Sequence, residues 1–142
     1  MEKHQLLSNL YTKQIQHLGI VADIIEQMGI VDYIDKKLTV SKEKGAKTTM
    51  GQRVAAMILN GLGFCASPLY MYSDYFKDKA VARLLGEGVK AEHFNDDTLG
   101  RCLDAIYHYG IDKLFPELSY RIALKHNLLG KSAHLDTSSL SL

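Results

Sequence analysis

Apolar residues recur at three- and four-residue spacing along nearly the whole chain, and this period constrains the fold more than any other feature. Leu18, Val21, Ile24, Ile25 and Met28 fall on one face of a helix that Gly29 ends. Ile30, Val31, Ile34 and Leu38 continue the pattern, with Asp32, Asp35, Lys36 and Lys37 outward; the single glycine between the two helices predicts a tight corner. Thr48 or Thr49 can cap the next helix by accepting one of its unpaired backbone N–H groups. That helix is expected to turn Val54, Met57, Ile58 and Leu62 inward. The small residues Ala55, Ala56 and Gly61 on its other face would admit a close neighbour, which makes it the expected central helix.

Ser67 and Pro68 are expected to open the following helix as N-cap and first residue, with Leu69, Tyr72, Tyr75 and Phe76 as an aromatic stripe. Tyr72 and Phe76 should be buried, and Tyr70 and Tyr75 are the candidates to remain outside. A short helix over residues 79–85 should stop at Gly86. Asn95, Asp96, Asp97 and Thr98 form a helix start, and Leu99, Leu103, Ile106 and Tyr107 should line the helix up to Gly110. A last helix over residues 112–126 buries Leu114, Leu118 and Ile122, with Pro116 in or near its first turn, where a missing N–H costs nothing.

The pattern changes after Gly130. Ala133, His134, Leu135, Asp136 and Thr137 alternate apolar and polar, the one strand-like stretch in the chain. A lone strand cannot pair its own backbone groups. The expectation is therefore an all-α, multi-helix orthogonal bundle of about six to seven helices. Residues 1–14 form a polar arm, residues 15–130 the helical domain, and residues 131–142 the first strand of a second domain that is cut off.

Composition removes several function classes. With 142 residues and 46% hydrophobic content the chain is long enough for one cored domain. Its net charge of +1 excludes a protein-wide positive field and leaves only local basic patches. Cys65 and Cys102 stand far apart, without the spacing of a zinc site or a disulfide framework, which fits a reducing compartment. No signal-peptide core opens the chain, and the most apolar stretch, residues 54–64, is too short and too interrupted to span a membrane. A cytoplasmic location with no membrane partner follows as the expectation. There is no P-loop, no dinucleotide fingerprint and no nucleophile–base pair to suggest a small-molecule substrate.

The order of four blocks carries a family resemblance: HLGIVADIIEQMGIVDYID, GQRVAAMILNGLGFCASPLYMYSDYF, RLLGEGVKAEHFNDDTLGRCLDAIYHYG and HLDTSS. Over roughly residues 15–141 this order resembles the N-terminal part of bacterial DDE-type insertion-sequence transposases, in the insertion-sequence-four-like superfamily. The resemblance implies that helices like these precede a ribonuclease-H-like core whose first strand bears the first catalytic carboxylate, here Asp136. It also implies that a full-length homologue works with Mg²⁺ or Mn²⁺, since hard oxygen ligands hold the two ions that drive phosphodiester chemistry. With only one of the three carboxylates, this chain alone needs no cofactor and is expected not to be an enzyme. His134, on the same face as Asp136, is either a ligand or an ordinary packing histidine.

One feature points to nucleic acid from its chemistry. Lys36, Lys37, Lys42, Lys44, Lys47 and Arg53 fall in a short span in which Glu43 is the only acid. Lysines in a glycine-containing loop beside a helix N-terminus suit phosphate, which supplies most of the affinity for DNA; a merely solvated loop is the alternative. Base readout needs Arg, Asn or Gln, and Gln52 and Arg53 are the candidates. The expected partner is transposon-end DNA, with a homodimer as a further possibility. The competing readings are a helical self-association module without DNA binding, or the remnant of a decayed element. Asp104 and His108, one turn apart, read as a surface pair, and Asp96 and Asp97 as helix-start charges.

Overall fold

A computed structural model describes residues 13–38, 45–64 and 66–131. These form an all-α bundle, as the periodicity requires. The helices are α1 (Leu18–Met28), α2 (Ile30–Lys37), α3 (Met50–Gly61), α4 (Tyr72–Phe76), α5 (Val81–Leu85), α6 (Asp96–Tyr109) and α7 (Ile111–Lys125), with 3-10 turns at Leu69–Met71 and Ala91–His93. Among the described residues the only strand-like pairing is an isolated parallel bridge of Gln14 to Lys79. Through it the described end of the N-terminal arm is fixed to the body: Gln14 N–H donates to Asp78 O and Ala80 N–H to Gln14 O. No described helix is long and apolar enough to cross a membrane.

Local chemistry sets the helix ends. Gly29 turns left-handed at φ 67° and closes α1 onto α2, the tight corner read from one glycine. Thr49 and Gln52 form a reciprocal capping box at α3, and Asn95 Oδ1 accepts the Thr98 N–H at the start of α6. Asp35, on α2, accepts the Gly51 N–H at 2.7 Å, which satisfies another of the unpaired donors of α3 and ties the two helices together. The contact is close because residue 51 has no side chain. A Cβ there would sit 2.3 Å from the Val31 carbonyl oxygen.

Helix α3 is central, packed against α1, α2, α5 and α6, but its buried face is not the one expected. Ala55, Ala56, Leu59 and Asn60 are buried, whereas Val54, Met57 and Ile58 are half-buried and Leu62 is exposed. Helices pack around α3 from several directions, so small side chains fill the centre and larger ones sit at its edge. Phe76, Phe94, Leu59, Leu99 and Cys102 are fully buried around that centre, with the Phe76 and Phe94 rings 5.6 Å apart.

Four further expectations change. Ser67 does not cap a helix; its N–H donates to Asn60 Oδ1, its carbonyl accepts from Asn60 Nδ2, and Pro68 stays extended before the 3-10 turn. The same amide donates to Tyr72 Oη, so a buried Asn60 satisfies the whole turn. Tyr72 and Phe76 are buried as expected and Tyr70 is exposed, but Tyr75 is half-buried under Lys79. Leu103 and Tyr107, expected to line α6, are exposed; Leu99 and Cys102 take the inward positions. Pro116 lies in the second turn of α7 on its exposed side, where it does remove a helical hydrogen bond, from Asp112 O.

Candidate nucleic-acid interface

The N-terminus of α3 decides where the candidate side chains go. Gln52 is occupied at both ends of its amide: Oε1 accepts the Thr49 N–H at 3.0 Å and Nε2 donates to Leu85 O at 3.1 Å. Arg53 is 1% exposed, and its guanidinium donates to Thr48 Oγ1 at 3.2 Å and Thr48 O at 3.4 Å and approaches Met50 Sδ. Neither side chain is presented to a base edge. Gln52 caps and bridges, and Arg53 clasps the end of the basic loop onto the bundle.

The loop end and the start of α6 enclose a cavity of about 520 Å³. Lys47 and Thr48 come from the loop, Arg53 from α3, Glu92 and His93 from the second 3-10 turn, and Asn95, Thr98 and Arg101 from the start of α6. Lys47 and Arg101 thus face one acid, Glu92, across a polar-walled space whose lining also includes the buried Arg53. Lys47 and Arg101 are exposed; Arg101 lies 3.8 Å from Asp97 in a surface pair too open to neutralise it strongly. His93 Nδ1 accepts the Lys90 N–H at 3.1 Å, which places the ring proton of the neutral form on Nε2 as a donor. Lysine, guanidinium and imidazole donors around a polar cavity can bind an anion with several oxygens, a phosphate among them.

The remaining basic residues divide. Lys36 is exposed near the C-terminal end of α2. Lys37 turns to α7 instead, 3.3 Å from Glu117 Oε2 and 5.5 Å from the Tyr33 ring centre. That carboxylate also accepts from Tyr33 Oη at 2.8 Å and Tyr109 Oη at 2.9 Å. The two phenol hydrogen bonds hold the Glu117 carboxyl below its ordinary range, and Glu117 in turn holds Lys37 above its own. Burial raises the Tyr33 phenol, with Glu117 adding to the effect. Lys42, Lys44, His134 and Asp136 lie outside the described residues, as does Cys65.

Asp104 and His108 are both exposed on α6. Among the described residues no three His, Cys, Asp or Glu side chains gather as a metal site. Arg101 and His93 are the site residues that sequence reasoning missed. Only folding brings them to Lys47, and no local pattern announces it.

No curated protein and no solved structure matches the chain. Residues 10–120 match the family model described as "Domain of unknown function (DUF4277)", and since that match covers most of the sequence, the chain belongs to this family.

Proposed function

We propose that the chain is the helical N-terminal region of a DDE-type insertion-sequence transposase and that it grips the element's terminal DNA through backbone phosphates. The observation that carries this reading is the placement of the exposed Lys47 and Arg101 at one polar cavity, next in sequence to Lys42 and Lys44. The order of sequence blocks shared with those transposases supports it. Contacts of this type position DNA without reading its sequence, and with Gln52 and Arg53 occupied internally the described residues favour a phosphate grip over base readout.

The test is fluorescence anisotropy of the full chain with terminal inverted-repeat duplex and scrambled duplex across a salt series. Binding that weakens steeply with salt, and that is lost when Lys42, Lys44 and Lys47 are replaced by Glu, supports the reading. Absence of affinity at low salt, or indifference to those charge reversals, refutes it.

A second reading rests on a different observation. Leu103, Tyr107, Ile111 and Phe115 are exposed in succession across the α6–α7 corner, between 43% and 81% accessible. A second copy of this chain would cover that ridge, since a two-fold pairing sets the same apolar patch against itself. Sedimentation equilibrium that finds a dimer, lost in Tyr107→Glu with Phe115→Glu, supports self-association; a monomer at all concentrations removes it.

A further inference from the structure

The seam between α2 and α7 holds three cations around one carboxylate. Glu117 directs Oε2 to Tyr33 Oη, Tyr109 Oη and Lys37 Nζ, so its charge is already committed to groups inside the seam. Above the same two rings sit two more cations. Arg121 Cζ lies 5.2 Å from the Tyr33 ring centre, and Lys113 Nζ lies 4.8 Å from the Tyr109 ring centre. Both side chains are exposed, and among the described residues neither pairs with a carboxylate.

A ring face fixes where a cation sits without using its N–H donors, three on lysine and up to five on arginine. Tyr33 carries both Lys37 and Arg121 on its ring, and the carboxylate beside them, Glu117, is already shared by Lys37 and two phenols. The seam therefore has two surplus positive charges, held in place and facing solvent.

Their spacing describes the anion. Lys113 and Arg121 are eight residues apart on α7, about 12 Å along its axis. One strand of DNA advances about 3.4 Å per nucleotide, so the two cations span phosphates roughly three to four nucleotides apart.

We propose that the α2–α7 seam is a second phosphate-contact surface, on which Lys113 and Arg121, seated on Tyr109 and Tyr33, hold the backbone of duplex DNA apart from the loop cavity. This rests on the DNA-binding reading above and adds a site to it.

The experiment is anisotropy of the full chain with a fluorescein-labelled terminal duplex, comparing the slope of log affinity against log salt. Lys113→Gln with Arg121→Gln should reduce the slope by about two, one for each lost phosphate contact, while the thermal transition stays cooperative. Lys113→Arg with Arg121→Lys should keep the wild-type slope, because charge rather than side-chain shape carries the effect. If the wild type and the Lys47→Glu variant differ but the Gln pair retains the wild-type slope, the seam is overturned and the loop interface stands. If the wild type shows no salt-dependent binding, both proposals fall.

Discussion

Replacing Gly51 by alanine sets two known effects against each other, and the structure decides the sign. Alanine is a better helix former than glycine by about 1 kcal/mol, so an open site would gain stability. At Gly51 the new methyl would stand 2.3 Å from Val31 O and 2.7 Å from Val31 Cα. Those atoms are backbone and cannot rotate away, so α2 and α3 must part. Separation also stretches the 2.7 Å bond from Gly51 N–H to Asp35 Oδ1. Overpacking of this kind costs about 1–3 kcal/mol and weakening the capping bond about 1 kcal/mol more, which outweighs the propensity gain. The net loss is about 1–3 kcal/mol, or roughly 4–12 °C in the midpoint for a chain of this size. The contrasting site is Gly100, within α6, where nothing lies within 4 Å of an added Cβ. Gly100→Ala should raise stability by about 0.5–1 kcal/mol. Thermal unfolding followed by circular dichroism at the helical band measures both. A Gly51→Ala midpoint equal to or above wild type would show that α2 and α3 do not meet at this glycine.

Three further outcomes are expected. Asn60→Ala leaves the Ser67 N–H, the Ser67 carbonyl and the Tyr72 hydroxyl without their partner, so urea unfolding should show a loss of about 3 kcal/mol; a loss below about 1 kcal/mol would mean that the amide does not hold this turn. Glu117 has its carboxyl held below the ordinary value, so the folded state binds fewer protons there than the unfolded one; its contribution is present above that value and disappears as pH falls through the folded pKa. The stability gap between wild type and Glu117→Gln should therefore close as pH drops below about 4, and a gap independent of pH would contradict the geometry around Tyr33 and Tyr109. Cys102 is fully buried, so alkylation followed by peptide mass spectrometry should find it modified only once the chain unfolds; rapid labelling of the native protein would contradict its place in the core.

Helix ends were legible in the sequence because they are local chemistry. Thr49 with Gln52, Asn95 with Thr98, and the left-handed Gly29 each settle a boundary within four residues. Helix faces were legible where one side alone meets the core, as for Leu18, Ile25, Tyr72 and Phe76. They were not legible on α3, which has neighbours on several sides, so that the small residues rather than Val54 and Leu62 are enclosed. The same limit applies to the candidate site. A basic run is visible as composition, but which cations face solvent depends on tertiary partners: Arg53 turns inward to Thr48, Lys37 is bound to Glu117, and Arg101 arrives from a helix whose sequence shows only its cap.

If the chain holds DNA by its phosphates, as proposed, the salt dependence of its binding counts the contacts. Measured by anisotropy with a terminal duplex between about 50 and 200 mM salt, log affinity should fall linearly with log salt at a slope near −0.9 for each phosphate contact, at least two in number. The slope should become shallower by about one when Lys47 is replaced by glutamate. A flat line, or a slope that Lys47→Glu leaves unchanged, would refute phosphate contact at the loop.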